Sequence, residues 1–265
     1  MQQMQIKLDG SMARHETIKT QKHQVRMGAS TIYYETVGAG PPLMLVHGLA
    51  ASSRWWVKNV QALGQHFQLY MLDLIGFGRS RTGQRFSLDE AARCLIQWMD
   101  QLKLEKMSIV GHSMGGRIAA ELAADFPNRV DRLVLIDSPI LPFQHGYTKQ
   151  TWGMARALRH FSRDFLPVLI GDTLQAGSLN VLRIGRQLLL TDRSHKLAAI
   201  QAPTLIIWGD QDTIVPLALG KALTQGLPHS QFVTLKGAGH VPMWEKAEEF
   251  NRIVLDFLCN PTISA

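Results

Sequence analysis

The chain is short of charge, of cysteine and of long apolar runs. Only 18% of its 265 residues are charged while 46% are hydrophobic. That balance excludes a generally disordered chain and supplies a core for one large α/β domain or two small ones. Two cysteines, Cys94 and Cys259, cannot build a disulfide framework, and neither lies in a metal-binding or redox spacing. Inert thiols in a reducing compartment are the expectation. No run of ~18 apolar residues occurs, and the N-terminal MQQMQIKLDGSMARHE lacks the apolar segment of a secretion signal. A soluble, cytoplasmic protein without a membrane span is expected. Internal repeats and low-complexity tracts are also missing.

Acidic residues are the scarcer sign, 21 against 28 basic ones, for a formal charge of +7. Most of the excess sits between residues 140 and 200, where eight basic residues face three acidic ones, a net charge of +5. A basic surface draws anionic substrates, lipid headgroups or nucleic acid. No RNA- or DNA-binding motif accompanies this one, so nucleic acid is not an expected partner. A solvated helical face is the plain explanation.

What is present is an alternation of strands and helices. Residues 1–21 are polar and without periodicity and are expected to be a disordered tail. HQVRM and TIYYETV then read as a hairpin, and LMLVH as a buried parallel strand. A helical stretch over 55–63 precedes the strand QLYMLDL. Ser87-Leu88-Asp89-Glu90 matches a capping box ahead of an amphipathic helix. Strand MSIVG, a helix from Met114 to about Phe126 that stops before Pro127, and strand RLVLID follow. TLIIWG, a helix over 217–223, QFVTL and a helix over 247–258 end the series. Such alternation implies a mostly parallel sheet covered on both faces. Residues 138–200 contain helical material but no convincing strand, so they read as a helical insertion between core segments 22–137 and 201–265.

Gly111-His112-Ser113-Met114-Gly115 fits G-x-S-x-G, with a strand ending into it and a helix starting from it. A sharp strand-to-helix turn pushes the serine hydroxyl out at the sheet edge, which makes Ser113 a candidate nucleophile. A serine hydroxyl needs a base, and the base needs an orienting acid. Asp212 follows TLIIWG and His240 follows QFVTL, so all three residues leave the same edge of one parallel sheet. Asp210 competes with Asp212. His47 and His112 compete with His240, although each adjoins a glycine turn and fits a loop-shaping role. Glycines at 237 and 239 free the loop that aims His240. Asp73 and Asp137 also end strands and are expected to order loops. The N–H groups of Met114 and Leu49 are the expected oxyanion donors, with Gly48 letting the backbone turn inward.

The segments LMLVHGLAASS, LDLIGFGRS, VGHSMGGRIA, APTLIIWGDQDTIVP and GAGHVPMWEKAEEFNRIVLDFL, spanning about residues 30–258, resemble the α/β-hydrolase superfamily. The similarity lies with its small esterase, haloperoxidase-like and C–C hydrolase branch. It implies an eight-stranded, mostly parallel sheet flanked by helices, with a helical cap at 138–200. It also favours Asp212 over Asp210, since the family's acid usually closes G-x-x-D. Relatives of this kind that are dehalogenases or epoxide hydrolases carry aspartate where this chain has Ser113. Many meta-cleavage C–C hydrolases place tryptophan after the catalytic histidine, where Val241 stands here. Leu49-Ala50 also departs from the haloperoxidase and perhydrolase pattern.

The expected activity is therefore serine hydrolysis of a carboxylic ester, thioester or lactone through an acyl-enzyme, with neither metal nor organic cofactor required. The alternatives are a C–C bond hydrolase of the meta-cleavage type, an acyltransferase or biosynthetic tailoring enzyme, and a hydrolase-derived receptor for a small lactone. Trp152, Leu158 and Phe161, with Phe165, are expected either to roof a hydrophobic acyl pocket or to pack the cap onto the sheet. The basic cap admits a substrate bearing a carboxylate, or peripheral contact with an anionic membrane. The oligomeric state is not legible.

Overall fold

A computed structural model of the protein describes residues 19–80, 86–142, 156–157 and 161–260. Its eight strands are β1 Gln21–Met27, β2 Ser30–Val37, β3 Pro42–Val46, β4 Gln68–Asp73, β5 Met107–His112, β6 Val130–Ile136, β7 Thr204–Gly209 and β8 Ser230–Leu235. They form one sheet in the order β1-β2-β4-β3-β5-β6-β7-β8. The hairpin β1–β2 and the pair β2–β4 are antiparallel, and the strands from β4 through β8 are parallel. The first strand opens at Gln21, one residue inside the expected tail.

The continuous apolar runs form the central strands because both sheet faces are covered. Met44, Val46, Ile109, Leu133, Leu135 and Ile206 pack on one side, against α2 (Leu88–Gln101) and α3 (Met114–Asp125). Their neighbours Leu43, Leu45, Val110, Val134, Ile136 and Ile207 pack on the other. There they meet α1 (Val60–Gly64) and the C-terminal helix, through Leu63, Phe250, Val254 and Phe257. Each such fully buried side chain contributes about 1.5–3 kcal/mol. The helix α3 stops at Asp125 because Phe126 precedes Pro127, and the proline ring disfavours a helical conformation there.

Two local expectations change. The stretch 55–63 is not one helix: a 3-10 turn at Ser53–Trp56 is followed by the short α1. Trp55 and Trp56 are buried there, one on the insertion and one in the core, and a single helical face cannot serve both. Ser87 stands at the N-cap of α2 in an extended conformation, but its side chain makes no capping bond. Asp89 and Glu90 in the first turn complement the helix dipole instead.

Within 138–200 the described elements are α4 Leu166–Ala176, α5 Ser178–Leu190 and a 3-10 turn at Ser194–Ala199. Gly177, with φ 78°, makes the reversal between α4 and α5. Asp172 of α4 is fully buried and accepts from Ser52 Oγ at 2.8 Å and Trp55 Nε1 at 3.0 Å through one oxygen. Its other oxygen pairs with Arg54. Ile184 and Leu188 bury the inner face of α5. Buried Arg117 of α3 bonds Glu121 at 3.2 Å and reaches the carbonyls of Leu188 and Thr191, so the end of α5 is tied to the helix that Ser113 caps. After β7 the chain continues through α6 (Leu217–Gly226), β8, α7 (Pro242–Glu245) and α8 (Ala247–Cys259). No helix among the described residues is long and apolar enough to cross a membrane.

Candidate active site

Parallel strands β5, β7 and β8 end at one edge, and the loops leaving them meet. Ser113 follows β5 directly, with φ 52° and ψ −118°, a conformation that costs a non-glycine residue about 1–3 kcal/mol. Its N–H is held by the Ile136 carbonyl at 2.8 Å, and its carbonyl accepts the Arg117 N–H at 3.1 Å. Gly111 permits the tight turn: a β-carbon there would lie 2.6 Å from the Gly115 carbonyl oxygen.

Ser113 Oγ lies 3.1 Å from His240 Nε2, and His240 Nδ1–H donates to Asp212 Oδ2 at 2.7 Å. The other Asp212 oxygen accepts the N–H groups of Ile214 at 2.7 Å and Val215 at 2.9 Å, which fixes the carboxylate's orientation. All three side chains are buried. Asp210 is directed elsewhere, accepting the Gly237 N–H at 2.7 Å. Gly237 does adopt a positive φ of 70° in the loop that carries His240. Gly239 acts differently, donating its N–H to Glu245.

The two competing histidines are buried braces. His47 accepts the Leu74 N–H on Nε2 at 2.9 Å, so Nδ1 carries the proton donated to Gly48 O at 2.7 Å. His112 donates Nε2–H to the His240 carbonyl at 2.7 Å, and its ring lies against those of Trp55 and His240. Burial holds both imidazoles below the ordinary histidine range, His112 well below it, so both are neutral. Asp73 accepts the N–H groups of Ser53 and Arg79, each at 2.7 Å, and orders the loops after β3 and β4.

Gly48 brings the loop after β3 against the serine. A β-carbon at 48 would lie 2.9 Å from His112 Nδ1 and 3.3 Å from Ser113 Cβ, so the need is for close approach. The N–H groups of Leu49, in this loop, and of Met114, at the start of α3, donate to no other group among the described residues.

Asp137 orders a neighbouring strand end, in keeping with the loop-ordering role expected of it. It has a positive φ of 44°, its N–H bonds the Ile207 carbonyl at 3.1 Å, and its Oδ1 accepts the Gly209 N–H at 3.0 Å. It therefore grips the end of β7 just before the Asp212 loop. Burial, reinforced by the negative charge of Asp212, pushes its carboxyl well above the ordinary range. His112, Asp137 and His240 bring potential metal-ligand atoms within 4.8 Å of one another. Both ring nitrogens of His240 are already engaged, by Ser113 and Asp212.

Among the residues expected at the acyl pocket, Phe165 is buried and packs edge-on against Trp55 and beside Trp244, joining the insertion to the core. Phe161 is half-buried with its ring 5.3 Å from that of Phe165. Trp152 and Leu158 lie outside the described residues. Asp172, which the sequence offered only as one acid in a basic segment, orders the Ser52–Trp55 stretch beside the site.

The family model for the alpha/beta hydrolase fold matches residues 41–183 and 185–247. A 2-hydroxy-6-oxononadienedioate/2-hydroxy-6-oxononatrienedioate hydrolase of Paraburkholderia phymatum is 32% identical over 86% of this chain and 90% of its own length. A pimeloyl-[acyl-carrier protein] methyl ester esterase of Hamiltonella defensa is 28% identical over 85% of this chain and 96% of its own. Among solved structures, a meta-cleavage product hydrolase from Pseudomonas fluorescens IP01 superposes with a TM-score of 0.75 at 25% identity, covering 89% of this chain and 97% of that one. With the mostly parallel eight-stranded sheet and its strand-end cluster already in view, these matches make the chain a hydrolase that belongs to the α/β-hydrolase fold family.

Proposed function

We propose that the protein is a serine hydrolase that cleaves a carboxylic ester, thioester or lactone through an acyl-enzyme on Ser113. The observation that carries the reading is the relay from Ser113 Oγ to His240 Nε2 at 3.1 Å and from His240 Nδ1 to Asp212 Oδ2 at 2.7 Å. Ser113 Oγ attacks the substrate carbonyl carbon while its proton passes to His240 Nε2. Asp212 keeps the imidazole in the required tautomer and stabilises the imidazolium. The Leu49 and Met114 N–H groups stabilise the oxyanion, and the dipole of α3 adds to the second. Collapse breaks the bond to the leaving group, which takes the proton from His240. Water, deprotonated by His240, then attacks the acyl-enzyme, and Ser113 departs with its proton restored.

The second reading is C–C bond hydrolysis of a vinylogous diketone, and the relative from Paraburkholderia phymatum favours it. The same relay serves both, with a carbon leaving group in place of an alkoxide or thiolate. A panel of p-nitrophenyl esters of graded chain length, lactones and a vinylogous diketone separates them. Ester or lactone turnover, lost together with fluorophosphonate labelling in Ser113→Ala, supports the first reading. Preferential turnover of the diketone overturns it in favour of the second, and undiminished labelling of Ser113→Ala overturns the assignment of the nucleophile.

A further inference from the structure

The helix α5 carries apolar side chains on both of its faces. Ile184 and Leu188 turn inward and are buried. Leu179, Leu182, Arg183 and Arg186 occupy roughly a third of the circumference on the opposite side, by the 100° advance of each helical residue, and all four are exposed. The preceding helix α4 adds Ile170 and Leu174, one turn apart on its own outer side. Exposure reaches 57% for Ile170, 77% for Leu174, 82% for Leu179 and 71% for Leu182. A solvated helix shows polar residues on its outer face; one that is apolar all round belongs in contact with something.

Charge identifies what that something is. The only acid in α4 and α5 is Asp172, which is buried and spent on Ser52, Arg54 and Trp55. The nearby acid on α2, Asp89, is already bonded by Gln187 and Arg193. Arg183 donates to the Phe86 carbonyl and to Asn180 Oδ1, neither of them an acid, and Arg186 has no ion pair among the described residues. The outer face therefore combines leucines with cations, and neither helix carries an exposed acid of its own. A second copy docked through this same face would offer neither arginine an exposed acid from α4 or α5. A layer of anionic headgroups over hydrocarbon complements both components, because arginine stems can lie along apolar surface while their heads reach phosphate.

We infer that the outer face of α4 and α5 docks on an anionic lipid bilayer, with Ile170, Leu174, Leu179 and Leu182 entering the headgroup–acyl boundary and Arg183 and Arg186 pairing with lipid phosphates. The inference stands apart from the catalytic reading, since it invokes no residue of the Ser113 site. It also differs from a span: the protein lies on the surface and leaves it reversibly.

The test is co-sedimentation of the full chain with phosphatidylcholine vesicles and with mixed phosphatidylcholine–phosphatidylglycerol vesicles. Binding to the mixed vesicles, weakened by added salt, is expected. Arg186→Ala should weaken partitioning about fivefold, the effect of one surface-bound cation. The triple variant L174S/L179S/L182S should lose binding while keeping its melting temperature, because these side chains are already exposed. No binding to mixed vesicles overturns the inference. So does equal binding to both vesicle types, or a wild-type dimer that the triple variant converts to monomer without any vesicle binding. Ester turnover in free solution is measured separately, so failure of docking and failure of the catalytic reading are distinguishable.

Discussion

Asp172 offers a quantitative test of how the insertion is held against the site. Its Oδ2 alone receives both buried donors, Ser52 Oγ at 2.8 Å and Trp55 Nε1 at 3.0 Å, whereas its Oδ1 faces Arg54, whose side chain is 48% exposed. In Asp172→Ala the Trp55 N–H is left buried without an acceptor, at a cost of about 1–3 kcal/mol, and the charge-assisted bond from Ser52 is lost at about 1.5–3 kcal/mol. The total is about 3–5 kcal/mol, equivalent to a fall of about 10 °C in melting temperature for a chain of this size. Asp172→Asn keeps a carbonyl oxygen able to occupy the Oδ2 position and serve both donors. It forfeits the pair with Arg54, worth about 1 kcal/mol or less because solvent screens that guanidinium. The expectation is thus a large loss for alanine and a small one for asparagine, read by urea denaturation monitored through tryptophan fluorescence. Equal losses in the two variants would show that the charge, not the shared Oδ2, holds α4. A loss under about 1 kcal/mol in the alanine variant would refute the tether altogether.

Asp212→Asn should lower kcat by roughly 1,000- to 10,000-fold with KM little changed, since the imidazole loses its fixed tautomer; steady-state kinetics on the best ester checks it, and a loss below tenfold contradicts the assigned role. Gly48→Ala should lower kcat by about 100-fold or more, because the new methyl meets a His112 ring that cannot yield while it holds the His240 carbonyl. A G48A variant with unchanged kcat would remove the loop after β3 from the oxyanion site. The raised Asp137 carboxyl makes a pH prediction: the native state keeps a proton that the unfolded chain releases above the ordinary value of 3.8, so this group's contribution to stability falls as pH rises from there toward the raised native value. Asp137→Asn keeps an acceptor for the Gly209 N–H and removes the titration, so it should gain on the wild type as pH rises through that window; a pH-independent difference in urea denaturation would refute this.

The sheet was legible because its strands are bare apolar runs separated by glycine turns and helical spacing, and burial on both faces writes that pattern directly into the sequence. The gathering of Ser113, Asp212 and His240 was legible for a related reason: each follows such a run within five residues, and parallel strands put all carboxyl ends on one edge. The tether of Asp172 was not. Its partners lie 117 to 120 residues away, and no local pattern marks a single helical aspartate as buried. Spacing also misled at Ser87, where the residues of a capping box are present but the hydroxyl does not turn onto the helix. The inward course expected at Gly48 is seen as close approach to His112 and Ser113, a need that local sequence does not distinguish from an ordinary turn. The two sides of α5 could not be ranked, because both are rich in leucine or isoleucine and only the packed structure shows which side faces the core.

The residues around the relay explain how a strained serine stays in place. Its positive φ costs about 1–3 kcal/mol, so the backbone on either side must be fixed by groups that do not relax with it. The Ser113 N–H and carbonyl are both bonded, to Ile136 O and from the Arg117 N–H. The neighbouring loops are braced by side chains that need play no part in bond making: His47 from Leu74 to Gly48, His112 onto the His240 carbonyl, Asp137 onto Gly209. Each brace is buried and joins the end of one strand to the end or following loop of another, so the sheet's own rigidity reaches Ser113, Asp212 and His240. Function and stability should then separate under mutation. Under the proposed mechanism, changes at Ser113 or Asp212 should alter chemistry on an intact frame, while changes at His112 or Asp137 should move the frame and show first as misplacement of His240 or Asp212.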